Sequence, residues 1–124
     1  MKVILTLVFI LIASASFSQD LGKNFPADYP ADLPKPKITV YNGSEPVDKG
    51  TVFMFDTDQT VKDAFNFFTA EMPKAGYKVY SEPLLSGDTG GSGLWEKDDK
   101  IVTLLVMKPE GFEQTSISIS ITSK

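Results

Sequence analysis

Apolar and polar positions change period twice between residues 51 and 82, and the changes mark out a strand, a helix and a strand. Thr51 to Phe55 is a strand-length run in which Val52 and Met54 fall on one side and Phe53 and Phe55 on the other, so both faces are apolar. From Val61 the apolar residues recur at three and four. Val61, Ala64, Phe65, Phe68, Met72 and Ala75 form one stripe opposite Lys62, Asp63, Asn66 and Lys74, with Phe67 at its margin. Burying each large member of such a stripe is worth roughly 1.5 to 3 kcal/mol. Thr60 with Asp63 has the form of an acidic capping box, and Asp58 is a competing cap one turn earlier. Both assignments set carboxylates against the positive end of the helix dipole. Pro73 disfavours helical geometry at Met72 and Gly76 suits a left-handed cap, which predicts a helix that loosens at Met72 and ends by Ala75. Tyr77 to Glu82 then alternates as a strand, which Pro83 stops.

Strand signals also flank this core. Lys37 to Asn42 alternates with Ile38 and Val40 on one side, Asn42-Gly43 reads as a turn, and Glu45 to Gly50 reads as a loop. Ser86 to Gly93 reads as a flexible Gly-Ser loop. A phosphate cradle there lacks the Gly-Lys-Ser/Thr ending and the following helix that the chemistry needs. Leu94 to Lys97 and Ile101 to Met107 form a hairpin across Asp98-Asp99; Pro109 to Phe112 makes a turn, and Thr115 to Ser123 is a last strand with Ile117, Ile119 and Ile121 inward.

These elements predict an α+β domain: one antiparallel sheet of five or six strands with a single helix packed on one face. A single helix covers one side only. Thr51 to Phe55 and Ile101 to Met107 are apolar on both, so the second face needs a cover. The candidates are the chain's own Pro-rich arm or strong sheet curvature, a homodimer partner, another protein, or an apolar ligand. Tyr80 and Trp95 alternate onto the sides that carry Lys78 and Lys97, which nominates them as rim residues for partner binding.

The N-terminal third bounds the setting. Lys2, the apolar run Val3 to Ile12 and the small residues to Ser18 have the form of a secretory signal peptide, with cleavage after Ser18 or Ala15. Its apolar run is about half the roughly 20 residues a spanning helix needs, so no stable membrane span is expected in the mature form. The expected organisation is a signal peptide over 1–18, an extended Pro-rich arm over 19–37, and one domain over 38–124. The arm carries a period of four, Pro26-Ala-Asp-Tyr, Pro30-Ala-Asp-Leu, Pro34-Lys-Pro-Lys, read as a polyproline-like lead-in with Tyr29 and Leu33 tucked against the domain. The expected location is periplasmic or extracellular.

Composition narrows the chemistry. With Lys2 removed, 11 Lys stand against 16 Asp plus Glu, and there is no Arg, His or Cys. The lack of Arg and the negative charge argue against nucleic acid as a partner. A serine–histidine triad, a cysteine nucleophile and a His or Cys zinc site are excluded. Carboxylates remain. Asp56 with Asp58, and Asp98 with Asp99, could be drawn as acid–base pairs or calcium ligands, yet neither has calcium-loop spacing, and caps and a hairpin turn account for them. No catalytic, cofactor or metal residue is assigned.

Pro30 to Pro36, Val52 to Phe55 with Thr57, the pair Phe67-Phe68 and the exit Gly76-Tyr77 together resemble small, functionally uncharacterised bacterial secreted proteins and lipoproteins. The resemblance implies an α+β fold in a periplasmic or cell-surface setting and carries over no catalytic residues. The expected function is an exported, non-enzymatic binding module using the second sheet face. Behind it stand an inhibitor of an envelope or foreign enzyme, presenting an acidic surface and the Ser86 to Gly93 loop, and then a carboxylate hydrolase.

Overall fold

The computed structural model describes residues 25–124; the stretch read as a signal peptide, 1–18, and the first residues of the expected arm lie outside the described residues. Six strands and one helix follow in the order β1 (Val40–Val47), β2 (Gly50–Thr57), α1 (Val61–Lys74), β3 (Lys78–Ser86), β4 (Gly90–Lys97), β5 (Lys100–Met107) and β6 (Thr115–Ser123). The strands form one antiparallel sheet in the order β1-β2-β6-β5-β4-β3. No helix among the described residues is long and apolar enough to cross a membrane.

Local chemistry explains the helix ends. The Thr60 hydroxyl accepts the Asp63 amide at 3.1 Å, which makes Thr60 the N-cap and leaves Asp58 outside that role. At the other end the Tyr77 amide donates to the Met72 carbonyl and the Gly76 amide to the Pro73 carbonyl, each at 3.0 Å, with Gly76 at φ 91°. This is the paired bonding of a Schellman cap, and it carries the helix through Pro73 to Lys74 rather than loosening it at Met72. Pro73 stands inside the last turn with its side chain exposed, and it deletes the amide that would bond the Thr69 carbonyl, a loss the paired cap bonds just beyond it offset.

The strands run longer than their apolar patterns suggest, because tight turns replace the expected loops. Asn42-Gly43 is not a turn: it lies inside β1, where a register shift between Tyr41 and Gly43 makes a bulge with Gly43 at φ 113°. The reversal comes later, at Asp48-Lys49, with Lys49 at φ 65°. β3 continues through Pro83 to Ser86, taking two register shifts on the way. As an edge strand it has one row of backbone groups that needs no partner, so proline is tolerated. The Gly-Ser segment is therefore β4, joined to β3 by Gly87, Asp88 and Thr89 alone.

One side of the sheet carries the core. Phe53 and Phe55 of β2, Ile117 and Ile119 of β6, Val102, Leu104 and Val106 of β5 and Trp95 of β4 join the helix residues Val61, Ala64, Phe68 and Met72 in one buried cluster. The helix touches β3, β4 and β5. The arm fills the remaining end: Tyr29 stands edge-on to Phe53 at 5.3 Å between ring centroids, and Phe25 packs on Phe55 at 4.9 Å. Its period of four is a pair of successive turns and not an extended helix. The Tyr29 amide donates to the Pro26 carbonyl and the Leu33 amide to the Pro30 carbonyl, so each turn delivers its fourth side chain, Tyr29 or Leu33, into the core. The arm thus joins α1 on the same face. The second face has no cover from the described chain.

Candidate functional site

Strand register carries the uncovered face from edge to edge. From β3 to β1 its central row reads Leu84, Ser92, Leu105, Ser118, Met54, Gly43, each hydrogen-bonded neighbour placed by the ladder. The next row reads Ser81, Leu94, Thr103, Ser120, Val52, Glu45. Aliphatic side chains from β3, β5 and β2 stand as ridges, and the serines of β6 run between the β5 and β2 ridges as a shallow trough. Leu84, Leu105 and Met107 are 66%, 42% and 43% exposed. At the end nearest the β3–β4 turn, Leu84, Leu105 and Met107 with the Gly90 backbone line a shallow cavity of about 350 Å³, with Lys108 and Glu110 beside it. Charged residues stand at the margins: Lys78, Glu96 with its ion-pair partner Lys124, Glu45, Asp56, and Lys108 and Glu110 beside the cavity.

Gly91 and Gly93 shape this half of the molecule from the opposite side. A methyl group at Gly91 would lie 2.6 Å from Phe65, and one at Gly93 would lie 2.7 Å from the Trp95 ring. Phe65 and Trp95 fill the space that these glycines leave open. Trp95 is consequently 1% exposed and belongs to the core, which corrects its assignment as a rim residue. The register shift after Val79 decouples the faces of β3 and β4, so Tyr80 does not share a side with Trp95. Tyr80 is 55% exposed on the edge strand, next to the row residue Ser81 and near Lys124, the ion-pair partner of Glu96.

The strongest electrostatic cluster holds the arm. Lys97 Nζ donates to the Asp32 carboxylate at 2.8 Å and to the Ala75 carbonyl at 2.9 Å, while the Tyr77 hydroxyl donates to Asp32 at 3.4 Å. Lys97 also lies 5.2 Å from the centre of the Tyr77 ring. The Lys97 hydrogen bond, reinforced by the nearby Lys100 charge, holds the Asp32 carboxyl below the usual range. Burial, followed by the Asp32 charge, pushes the Tyr77 hydroxyl up to about 12. Burial raises Tyr29 as well, whose hydroxyl donates to the Pro34 carbonyl at 2.7 Å. Lys97 and Tyr77 clamp Asp32 to the body of the domain, while the Tyr29 hydroxyl braces the arm against its own Pro34.

Asp98 and Asp99 make the expected hairpin turn, whereas neither Asp56 nor Asp58 caps the helix, which Thr60 does in place of the expected carboxylates. Asp56 lies in β2, its carbonyl accepting the Thr39 amide and hydroxyl, and Asp98 occupies the β4–β5 turn at φ 57°. Among the described residues no group of three Asp or Glu could hold a metal ion. Neither a protein-family model nor a curated protein sequence matches the chain.

Proposed function

We propose that this chain is an exported, non-enzymatic interaction module whose working surface is the uncovered sheet face. The observation that carries the reading is the asymmetry of cover: helix and arm both pack on one face, while the other presents exposed Leu84, Leu105 and Met107 around a shallow cavity. Exposed aliphatic side chains grouped on one face and rimmed by polar residues are the mark of an interaction surface. Export is read from the form of residues 1–18, which sets the site of action in the periplasm or outside the cell.

Two experiments test the two halves. Expressed with its leader, the chain should appear in the periplasmic or external fraction with Gln19 first; uncut chain in the cytoplasm would remove the export half. Leu105→Asp places a charge in the middle of the face at a half-exposed position, so the fold should persist. The variant should lose binding of a hydrophobic dye and of any partner. Unchanged binding would mean that the face is not the working surface. The inhibitor reading has less support, because the loop it would present is a three-residue turn.

A further inference from the structure

We infer that the occupant of the open face is a second copy of this chain, packed face to face about a twofold axis that runs along the strands between β5 and β6. This inference rests on the reading of that face as an interaction surface and names what covers it.

The pattern of the rows carries it. An isologous contact requires a surface complementary to itself, with residue i meeting j and j meeting i. Rotation about the stated axis lays each row over its own reverse, so β5 meets β6, β4 meets β2 and β3 meets β1. The central row alternates large and small along its whole length, and it has an even number of members. Read against its reverse, it sets Leu105 over Ser118, Met54 over Ser92 and Leu84 over Gly43. Every large side chain meets a small one. In the neighbouring rows Met107 falls over Ser116, Thr103 over Ser120 as a pair of hydroxyls able to bond each other, and Leu94 over Val52 as an apolar pair outside the large-on-small pattern. Within the paired rows Asp56 meets Gly90, Glu45 meets Ser81, Lys78 meets Val47 and Glu96 meets Gly50, so no two like charges of those rows oppose. Twisted sheets in aligned packing stay within about 30° of each other, so the rows near the axis meet most closely.

Size is adequate too. Six strands at about 4.8 Å spacing and eight residues at about 3.3 Å give a face of roughly 29 by 26 Å, or about 750 Å² per copy. Two copies in full contact bury at most about 1,500 Å², inside the range of stable specific interfaces, and twist brings the figure toward the lower end of that range.

Sedimentation of the mature chain across a dilution series, with two variants, tests the inference. Leu105→Asp removes the ridge, and Ser118→Leu fills the trough that receives it. The wild-type chain should sediment at twice its monomer mass at high concentration, and each variant should weaken association by about tenfold or more. Ser118→Leu is the discriminating change. It enlarges the apolar surface, so a merely adhesive face would associate more tightly, and that result overturns the inference. Asn66→Ala, on the exposed side of α1, should leave association unchanged, and circular dichroism confirms that each variant is folded. A wild-type chain that stays monomeric at millimolar concentration overturns the inference alone if dye or another protein still binds in a Leu105-dependent way. If nothing binds the monomer, the proposed function falls with it.

Discussion

At the scale of single residues, the structure gives opposite weights to the two aromatics that the sequence set side by side. Trp95 fills the core behind Gly93, so Trp95→Ala should cost about 3 to 5 kcal/mol in a denaturant titration. Tyr80→Ala, at an exposed edge position, should stay within about 0.5 kcal/mol. The signal that separates them was present: Gly91, Gly93 and Trp95 recur at period two, which is strand alternation with small residues making room for a large ring. Glycine's association with loops concealed it. Asp32 offers a second residue-level test. Its folded-state pKa lies below its unfolded value, so its contribution is present above about pH 4 and is lost as pH falls through the lowered value. Because the carboxylate is partly exposed, Asp32→Asn should cost under about 1 kcal/mol. Melting temperatures of the two proteins should differ near neutral pH and converge below about pH 4.

At the scale of elements, the helix was legible almost to the residue because stripe, cap and stop signals coincide between Thr60 and Gly76. β6 and the Asp98-Asp99 hairpin were equally plain. The edge strands were not. In β1 a bulge at Gly43 and in β3 the proline and register shifts break the alternation that announces a strand, and only pairing with β2 and β4 shows that the chain continues. The arm was half legible: its period of four selects Tyr29 and Leu33 for burial, yet the turns that accomplish it depend on carbonyls of Pro26 and Pro30 that a proline-rich composition disguises as extended chain. Tyr29→Ala should therefore cost about 3 kcal/mol or more, as for a large aromatic removed from a core. Thr60→Ala, removing the helix cap, should cost about 1 kcal/mol. Chemical denaturation of both, alongside wild type, checks the order.

At the scale of the whole molecule, the sequence shows that a strand such as β5 is apolar on both faces, but it does not show which helpers share a face. The arm and helix divide one side between them, and the serines of β6 interrupt the other with a trough that becomes visible only once the register sets Ser118 between Leu105 and Met54. The uncovered face is the account's central feature, and the chain carries its own reporter there. Met107 lies on that face at 43% exposure, while Met72 is buried beneath the helix and serves as an internal reference. Peroxide oxidation followed by mass spectrometry can be run on the dilute purified chain and on the chain in its native compartment. Methionine oxidation follows exposure, so a face covered in place should slow Met107 by about tenfold relative to the dilute chain, with Met72 slow in both. Met107 oxidising equally fast in both settings would contradict a working interaction surface there.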